Sequence, residues 1–363
     1  MRILQCIDTL RGGGAERQLT YLVEGLSRLD HEVDVVYLVG GTHEPRLSAS
    51  GAALHRLGMR GTVPLVADLY GVMRRRRIDV VQTWLGRMCV AGGVAGRLAR
   101  RPWLYSERSV ELNERGWRAS VRRFVGHGAQ AVVANSEAGA ARWRSRLGPR
   151  VHVVPNGVEL DAILATPPAE RRHFDVAADA ELILYAGRFA APKNIELLAE
   201  ALAMVLRQRR RAVALAVGEG EELDLFRAII ARAGLGDRCR APGYRPDLWA
   251  LLKSADVAIA PSRFEGRPNV VLEAMAAGCP LVVSDIAQHR ECLPREAALW
   301  FSPASATDAA AALSRTLDDL AAARARAARA LAAVRDQSID AMSRAYARLY
   351  GRLIAAPASG RSA

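Results

Sequence analysis

Two basic residues follow an apolar segment near the middle of the chain at a spacing that suits a diphosphate. Gly187 and Arg188 come directly after the apolar residues 182–186, and Lys193 stands five residues beyond Arg188. The chain has only two lysines against 49 arginines, so a lysine at this place is unusual for it. Two fixed cations at the end of one strand can neutralise the charge that develops on a departing diphosphate. Two exposed basic residues in an ordinary loop would have the same spacing.

A second segment places two glutamates around a predicted helix start. Glu265 lies in the loop before this helix, and Glu273 lies one turn into it. The helix begins near Asn269, and its first amides have no intrahelical partner, so those of Asn269 and Val270 can hold a phosphate. A carboxylate such as that of Glu273 can accept two hydroxyl groups of a ribose or a sugar. The alternative is that Glu273 only stabilises the first turn of an exposed helix.

A glycine-rich loop follows the first apolar segment of the chain and leads into a helix. Gly13 and Gly14 let the backbone approach a phosphate closely, and Glu16 follows on the first turn of the helix. The loop is not a dinucleotide-binding fingerprint, because Arg17 occupies the place of the third glycine. It is not a Walker loop either, since no Gly-Lys-Ser/Thr follows. A tight turn without a ligand would explain these glycines as well.

Two further loops could contact a nucleotide. Gly218 follows the apolar residues 213–217 and offers another point of close backbone approach. Tyr244, with Arg245 beside it, precedes a short helix and could lie against a flat base. Tyr244 fits a packing role equally well.

Short apolar segments alternate with helical segments in both halves of the chain. Continuous apolar strands separated by helices indicate parallel sheets that are covered on both faces. The predicted strands are 3–7, 33–39, 80–82, 104–105, 132–134, 151–154, 182–186, 213–217, 257–260 and 281–284. The predicted helices are 15–28, 86–100, 117–125, 137–146, 195–207, 221–233 and 269–277.

A stretch that contains proline and alanine, residues 155–178, interrupts this alternation and is typical of a linker. Two doubly wound, Rossmann-like α/β domains therefore explain the pattern better than one large sheet. We predict a first domain over residues 1–165 and a second over 166–337. The alanine-rich segment 307–350 is helical by propensity. A break before residue 338 would let a last helix, 338–355, cross back to the first domain.

Five motifs between residues 12 and 278 resemble, in content and order, the signature of the retaining family 4, or group 1, glycosyltransferases. The most specific is the pair Glu265 and Glu273, with seven residues between them. The other four are Gly12–Gly13–Gly14–Ala15–Glu16–Arg17–Gln18, Pro155–Asn156–Gly157–Val158, Ala186–Gly187–Arg188 with Pro192–Lys193–Asn194, and Ala274–Met275–Ala276–Ala277–Gly278. These four are weak one by one and specific together.

The resemblance implies the GT-B fold, in which two Rossmann-like domains face each other across a cleft, and a nucleotide-sugar donor held by the second domain. Arg188 and Lys193 would bind the diphosphate, and with Glu265 they form the expected catalytic set. Glu265 would contact the transferred sugar, and Glu273 would bind the ribose hydroxyls. The residues expected to line the donor are Gly13, Gly14, Gly187, Gly218, Tyr244, Asn269, Val270 and Glu273.

The same resemblance implies transfer of the sugar with retention of configuration, by front-face attack in which the leaving diphosphate helps to take the acceptor proton. We expect a UDP-sugar donor, a hexosyl or N-acetylhexosaminyl group, and a saccharide or lipid-linked saccharide acceptor. The expected pathway is cell-envelope, lipopolysaccharide or exopolysaccharide synthesis. No cofactor and no metal are expected, and the sequence has no His/Cys cluster with metal-ligand spacing.

One position departs from the pattern of many relatives, which have a histidine beside the donor sugar after the strand near residues 103–105. This chain has Ser106–Glu107–Arg108 there. Glu107 and Arg108, together with Glu16, are therefore the candidates for the acceptor or sugar side of the site. A local surface pair is the alternative for Glu107 and Arg108.

The net charge of +13 is concentrated in the first half of the chain. Residues 1–160 hold 24 arginines against 14 acidic residues, whereas the remainder holds 27 basic against 24 acidic residues. A basic surface favours an anionic partner: a phospholipid headgroup, a lipid diphosphate or nucleic acid. The alternative is that the protein has ordinary solvated surfaces that are rich in arginine, which would give the same excess of positive charge. The five cysteines form no CxxC pair and suggest buried, reduced thiols.

We expect a cytoplasmic location. No apolar run approaches the roughly 20 residues needed to span a bilayer. Asp8 and Arg11 interrupt the first apolar segment too early for a signal peptide.

The segment 115–125 predicts a helix whose apolar residues Trp117, Val121 and Phe124 lie between arginines. This pattern suits peripheral contact with an anionic membrane at the inner leaflet. The residues 142–144, Arg-Trp-Arg, could extend the basic patch. An ordinary helix that packs its apolar side on a sheet is the alternative.

Other activities fit parts of the sequence. A nucleotide-sugar epimerase or hydrolase would keep the fold and change the reaction. A glycoside hydrolase with Glu265 and Glu273 as paired carboxylates would leave Arg188 and Lys193 without a role. A non-enzymatic polyanion-binding protein would explain the charge, but the sequence shows no nucleic-acid-binding module, and we expect no nucleic-acid partner.

Overall fold

The structure, a computed structural model, describes residues 1–108 and 117–356, without the side chains of residues 117–119. The chain forms two compact units. The first consists of Met1–Gly157 together with the chain from Ile339 onward, and the second consists of Val158–Ser338. Each unit has one parallel sheet with apolar clusters on both of its faces. Each is therefore a doubly wound, Rossmann-like domain, as the sequence predicted.

The first unit has a seven-stranded sheet with the order β3-β2-β1-β4-β5-β6-β7, and every registered strand pair is parallel. Its strands are β1 (Arg2–Thr9), β2 (Glu32–Val39), β3 (Ala53–Arg56), β4 (Val80–Trp84), β5 (Trp103–Glu107), β6 (Ala131–Ala134) and β7 (Val151–Val153). Its helices are α1 (Gly14–Arg28), α2 (Glu44–Ala49), α3 (Thr62–Arg75), α4 (Gly86–Leu98), α5 (Trp117–Gly126), α6 (Glu137–Leu147) and the last helix of the chain.

The second unit has a six-stranded parallel sheet with the order β10-β9-β8-β11-β12-β13. Its helices are α7 (Leu160–Ala165), α8 (Ile195–Gln208), α9 (Leu223–Arg232), α10 (Leu248–Ser254), α11 (Asn269–Ala276), α12 (Ala287–Arg290), α13 (Ala306–Asp318) and α14 (Leu320–Val334). Its strands are β8 (Glu181–Ala186), β9 (Ala212–Val217), β10 (Cys239–Gly243), β11 (Val257–Ala260), β12 (Leu281–Ser284) and β13 (Leu299–Phe301). Because all six strands run in one direction, the loops that follow them meet at a single edge of the sheet.

The predicted strands are all present, and the three that the sequence did not predict share one feature. β3, β10 and β13 each lie at the edge of a sheet, where a strand pairs on one side only. An edge strand does not have to be apolar on both faces, and β3 and β10 both carry polar residues, whereas β13 is apolar but only three residues long. β10 even contains Pro242, a residue that a central strand excludes.

The boundary between the units differs from the predicted boundary after residue 165. Residues 158–165 belong to the second unit, because Val158 and Ile163 of this segment are buried in its apolar core. Val158 also forms a parallel bridge with Ser338, at the point where the chain leaves the unit again. The proline-containing stretch that follows is therefore part of the second unit and not a linker between domains.

The last helix, α15 (Ile339–Ala355), returns to the first unit and is fixed there by buried polar contacts. The hydroxyl of Tyr350 accepts a hydrogen bond from Gln5 at 3.0 Å and donates one to Gln82. Tyr346 accepts a hydrogen bond from Arg108 at 2.5 Å. Since Gln5 and Gln82 lie on the adjacent strands β1 and β4, α15 completes the core of the first unit.

Within the described part of the chain, no helix is long and apolar enough to cross a membrane. All five cysteines are buried and free, which confirms the prediction made for them.

Candidate functional site

The loops after β8, β9 and β10 are joined by backbone hydrogen bonds at the carboxyl edge of the second sheet. Gly187 N–H donates to Val217 at 3.0 Å, and Gly218 N–H donates to Gly243 at 2.8 Å. Gly218 has a φ of 136°, and a Cβ atom there would lie 1.9 Å from the carbonyl oxygen of Gly187. Only glycine fits at this position, so the two predicted glycines hold two loops in close backbone contact.

The loop after β8 brings Lys193 against Glu265, which lies in the loop after β11. The two loops are joined by Arg263 N–H, which donates to Pro192 at 2.8 Å. The ammonium of Lys193 donates to Oε1 of Glu265, and the two side chains are only 23% and 12% exposed. The sequence named both residues from separate motifs, and the structure places them in one ion pair.

Asn194 fixes the end of the lysine loop. It has a left-handed backbone with a φ of 59°, and its side-chain amide donates to the carbonyl oxygens of Pro303 at 2.9 Å and of Pro261 at 3.3 Å. Pro261 directly precedes the glutamate loop. The backbone of Lys193 is therefore held from both sides, while its side chain keeps some exposure at the sheet edge.

The charge of Glu265 is set by opposing influences. Burial acts to raise the pKa of this carboxyl group, but the neighbouring Lys193 and the hydroxyl of Ser262, which donates at 2.6 Å, outweigh it. The resulting pKa lies below the ordinary glutamate value of about 4.5, so Glu265 is ionised at neutral pH. The site thus holds a carboxylate and an ammonium side by side, mostly out of water.

A chain of hydrogen bonds behind Glu265 was not predicted from the sequence. The hydroxyl of Ser284 donates to the carbonyl oxygen of Ser262 at 2.6 Å, and Nδ1 of His289 lies 2.8 Å from the carbonyl oxygen of Ser284. Ser284 ends β12, and His289 follows on α12. A search of every strand end for polar residues would have found both, because they lie at the same edge of the sheet as Glu265.

Glu273 lies inside the first turns of α11 and is only 4% exposed. It accepts a hydrogen bond of 3.1 Å from the indole N–H of Trp249, a residue of α10 that the sequence analysis did not name. Asn269 and Val270 form the start of the same helix and are half-buried. A buried carboxylate one turn behind free helix amides can receive hydroxyl groups of a ligand held at that helix start.

Two of the predicted donor residues are exposed at this edge. Arg188 is exposed, and among the described residues its side chain forms no hydrogen bond or ion pair. Tyr244 is 69% exposed in the loop after β10. Its neighbour Arg245 pairs with Asp247 at 2.7 Å. Arg188 and Tyr244 are therefore available to a ligand, whereas the guanidinium of Arg245 is already neutralised.

In the first unit, the glycine loop is packed tightly by its own helix. A Cβ atom on Gly13 would lie 2.1 Å from the carboxylate of Glu16, so Gly13 leaves the space that this side chain fills. Burial raises the pKa of Glu16, and the nearby carboxylate of Asp8 raises it further. Asp8 accepts hydrogen bonds from the amides of Arg87 and Met88 at 2.9 and 2.8 Å, at the start of α4. Gly14 begins α1, one residue before the predicted start of this helix.

The structure gives Glu107 and Arg108 protein partners. Glu107 accepts a hydrogen bond of 3.1 Å from the indole N–H of Trp143, and that tryptophan is buried against Tyr105 instead of joining a surface patch. The Arg108 guanidinium lies 4.1 Å above the ring of Trp84 and donates to Asn156 at 3.1 Å. Both side chains are almost completely buried. Direct contact of Glu107 or Arg108 with a sugar stays a prediction.

The described residues contain no group of three or more His, Cys, Asp or Glu side chains arranged to hold a metal ion. Of the predicted membrane helix, Arg115 and the side chains of Trp117 and Arg118 lie outside the described residues. Val121, Arg123 and Phe124 are described and exposed.

Comparisons with known proteins match both units. The family profile described as glycosyl transferases group 1 matches residues 168–331, and that of glycosyltransferase family 4 matches residues 12–162. A D-inositol 3-phosphate glycosyltransferase of Pseudarthrobacter chlorophenolicus is 33% identical over 313 residues, which are 76% of this chain and 74% of that protein.

Two other similar proteins have informative names or ligands. The UDP-Gal:α-D-GlcNAc-diphosphoundecaprenol α-1,3-galactosyltransferase of Escherichia coli is 26% identical over 243 residues, which are 60% of this chain and 61% of that protein. The crystal structure of Anabaena HepE in complex with UDP-glucose matches with a TM-score of 0.87 at 21% identity, covering 97% of this chain and 99% of that chain.

We predict that Lys193→Met lowers the free energy of unfolding by about 1–3 kcal/mol at neutral pH, because the carboxylate of Glu265 then lacks its cation. In the wild type, the pKa of Glu265 is lowered, so its stabilising contribution is present above about pH 4.5 and is lost as the pH falls through the folded-state pKa. Without Lys193 the site favours proton uptake, so the variant loses stability as the pH rises.

Urea denaturation of both proteins between about pH 4 and pH 8 measures this difference. The difference in unfolding free energy between the wild type and Lys193→Met should decrease as the pH falls. Arg263→Met, which removes an exposed cation from the neighbouring loop, is the matched control and should change the unfolding free energy little at any pH. A gap for Lys193→Met that is constant across the range would contradict the assignment of the ion pair.

Proposed function

Since the chain belongs to the group 1 glycosyltransferases, family 4, and has their GT-B fold, we propose that it transfers a sugar from a UDP-sugar with retention of configuration. The transferred group is a hexosyl or N-acetylhexosaminyl residue, and the acceptor is a saccharide or a lipid-linked saccharide. The choice of uridine is supported by HepE, which was crystallised with UDP-glucose, and by the E. coli relative, whose name gives UDP-Gal as its donor.

The ion pair of Lys193 with Glu265 is the observation on which the donor site rests most directly. It places a cation and a carboxylate side by side at the carboxyl edge of a parallel sheet, where ligands of such folds bind. The cation suits the diphosphate, and the carboxylate suits the hydroxyls of the transferred sugar. Glycoside hydrolysis by two carboxylates would not need the lysine, and Glu273 is engaged by Trp249 on another helix.

We propose the remaining donor contacts from the exposure and position of residues in the second unit. Arg188, which is exposed, adds a second cation for the diphosphate, and the amides of Asn269 and Val270 face a phosphate or sugar oxygen at the start of α11. Glu273 receives the ribose hydroxyls, and Tyr244 lies against the base. Gly187 and Gly218 let the donor approach the backbone without a clash.

The chemistry of the departing diphosphate determines the roles that we propose for these side chains. As the glycosidic bond breaks, negative charge grows on the diphosphate, and Arg188 and Lys193 stabilise it. A diphosphate oxygen takes the proton of the attacking hydroxyl on the same face of the sugar, so configuration is retained. We propose that the two cations supply the positive charge that the reaction needs and that no metal or cofactor takes part.

For the acceptor side we propose the glycine loop of the first unit, with Gly13, Gly14 and Glu16. Burial and the nearby Asp8 raise the pKa of Glu16, and its carboxyl group can form hydrogen bonds with sugar hydroxyls. Glu107 and Arg108 shape this unit through their partners Trp143 and Trp84. A lipid-linked acceptor, in cell-envelope or lipopolysaccharide synthesis, is supported by the diphosphoundecaprenol substrate in the name of the E. coli relative.

The donor proposal is tested by measuring nucleotide release from a panel of UDP-, GDP- and ADP-sugars in the presence of lipid-linked and soluble acceptors. We expect UDP release that rises with acceptor. Glu273→Gln, which keeps an oxygen for Trp249 and removes the charge, should lower kcat/KM by about 10–100-fold. Glu200→Gln, at an exposed position of α8, is the control and should retain full activity.

Three outcomes would contradict parts of this proposal. A rate of UDP release that does not depend on any acceptor would indicate a hydrolase. Interconversion of the donor sugar would indicate an epimerase. Full activity of Glu273→Gln would remove the ribose contact. Binding of polyanions without any nucleotide binding would favour a non-enzymatic role.

We also propose a cytoplasmic protein in peripheral contact with an anionic membrane through α5. Phe124 is 80% exposed and Val121 is 40% exposed, and the exposed Arg123 stands beside them. An apolar side chain that projects among arginines is suited to the interface of an anionic bilayer.

Flotation with vesicles of anionic and of neutral phospholipid tests this contact. The wild type should float with anionic vesicles at low salt and dissociate as the salt concentration rises, because the arginine contribution is screened. Phe124→Ser should reduce the bound fraction several-fold, whereas Leu225→Ser, at an exposed position of the second unit, should not. Equal flotation with neutral vesicles, or none at low salt, would exclude the proposed contact.

A further inference from the structure

His289 is a completely buried histidine with one unused ring nitrogen beside the donor site. Its Nδ1 lies 2.8 Å from the carbonyl oxygen of Ser284. A carbonyl oxygen can only accept a hydrogen bond, so the ring hydrogen is on Nδ1 and, in the neutral ring, Nε2 carries a lone pair. Among the described residues, Nε2 has no hydrogen-bond partner. A buried polar atom without a hydrogen-bond partner destabilises the folded state, so it is uncommon without a role.

The histidine is connected to Glu265 through two serines. Ser284 Oγ donates to the carbonyl oxygen of Ser262 at 2.6 Å, and Ser262 Oγ donates to the carboxylate of Glu265 at 2.6 Å. His289 also feels the charges of this site directly. Burial is the main cause that lowers the pKa of the imidazole, Glu265 and the hydrogen bond to Ser284 act to raise it, and Lys193 lowers it further. The resulting pKa lies below the ordinary histidine value, so His289 is mostly neutral at physiological pH.

The charge balance of this site changes when Lys193 engages a diphosphate. At present the lysine is the cation that compensates the mostly buried carboxylate of Glu265. A diphosphate competes for the same ammonium group and brings further negative charge close to Glu265. An ionised carboxylate that loses its cation in a poorly solvated site is strongly destabilised. A replacement positive charge is then needed within reach of Glu265.

We propose that His289 is this replacement: when a nucleoside diphosphate draws Lys193 away, Nε2 of His289 takes up a proton from solvent and becomes the counter-ion of Glu265. The proposal rests on the proposed function, in which Lys193 binds the donor diphosphate. No bond of the nucleotide forms or breaks in this step, and one proton passes from the buffer to the ring. His289 is thus a positioning residue that keeps Glu265 ionised and in place for the sugar.

The other charged group near His289 is already compensated. Asp285 follows β12 and faces the histidine from its own loop. Its carboxylate pairs with Arg290 at 2.5 Å and with Arg295 at 3.0 Å. Asp285 also acts to raise the pKa of His289, but its own ion pairs do not involve Lys193, so the change expected on nucleotide binding comes from the pair of Glu265 and Lys193.

The proposal is tested by titrating the wild-type enzyme with UDP, and in parallel with GDP and ADP, in a calorimeter with buffers of different ionisation enthalpy. The dependence of the heat on the buffer gives the number of protons taken up per nucleotide. We expect about one proton at neutral pH for the wild type, and tighter binding as the pH falls. His289→Asn keeps an amide donor for Ser284 and cannot be protonated, so it should lose this uptake.

The His289→Asn variant also distinguishes proton uptake by His289 from proton uptake by the nucleotide phosphate. The phosphate has a pKa of about 6, and its protonation change is the same for the wild type and the variant. His173→Asn, an exposed histidine of the same unit, is the matched control and should take up as many protons as the wild type. Nitrogen-15 NMR of the seven histidines in the wild type provides a readout that needs no variant. One imidazole should change from the neutral Nδ1–H form to the doubly protonated form when the nucleotide is added.

The outcomes distinguish this inference from the proposed function. Nucleotide binding without proton uptake, or with uptake that persists in His289→Asn, overturns the role of His289 and leaves the donor site standing. Failure of all three nucleotides to bind overturns both. Binding with an uptake that His289→Asn abolishes and His173→Asn retains supports both.

Discussion

A carboxylate that is mostly removed from water needs a cation beside it, and in this protein Glu265 has Lys193. The pair joins the loops after β8 and β11, two adjacent strands of the second sheet. Around it, backbone hydrogen bonds hold the lysine loop on one side through Gly187 and Gly218, and the side-chain amide of Asn194 holds it on the other side. The geometry of the proposed donor site depends on these loops, and the loops depend on glycines and on one ion pair.

In the first unit, buried polar contacts of side chains fix the parts of the chain that are distant in sequence. Its core is closed by α15, a helix from the far end of the chain, and the buried Arg108 connects this helix to Trp84 and Asn156. Gln18 of α1 makes a further connection, because its side-chain amide donates to and accepts from the backbone of Gly157 at 2.9 Å. The chain segments that pass between the units are thereby held at defined places in the first unit.

The sequence predicted the parts of this structure that have a local signature. The central strands contain apolar runs and were found, whereas β3 and β10 at the sheet edges carry polar residues and β13 is only three residues long, and these three were missed. The charged residues of the donor site were named because they follow strand ends, and their types suit a diphosphate. Their pairing was not predicted, because Lys193 and Glu265 are far apart in sequence and a spacing does not show which side chains meet.

Contacts between residues that are distant in sequence were not predicted for the same reason. Nothing near His289 in sequence shows that its ring is buried behind Glu265, and nothing near Arg108 shows that it stacks on Trp84. Arg108 was considered for the sugar side because of its type and place after β5. Among the described residues, its guanidinium contacts Trp84, Asn156 and Tyr346 of its own unit, and contact with a sugar stays a prediction.

Hydrogen–deuterium exchange with and without UDP tests most directly whether the donor binds at this edge of the second sheet. The account predicts slower exchange in residues 187–194 and 262–273 when UDP is added, because both loops gain contacts with the diphosphate and the sugar-binding carboxylates become ordered. Residues 223–232 of α9, an element without a predicted donor residue, should be unchanged. Protection confined to other segments, with these two loops unaffected by bound UDP, would contradict the donor site.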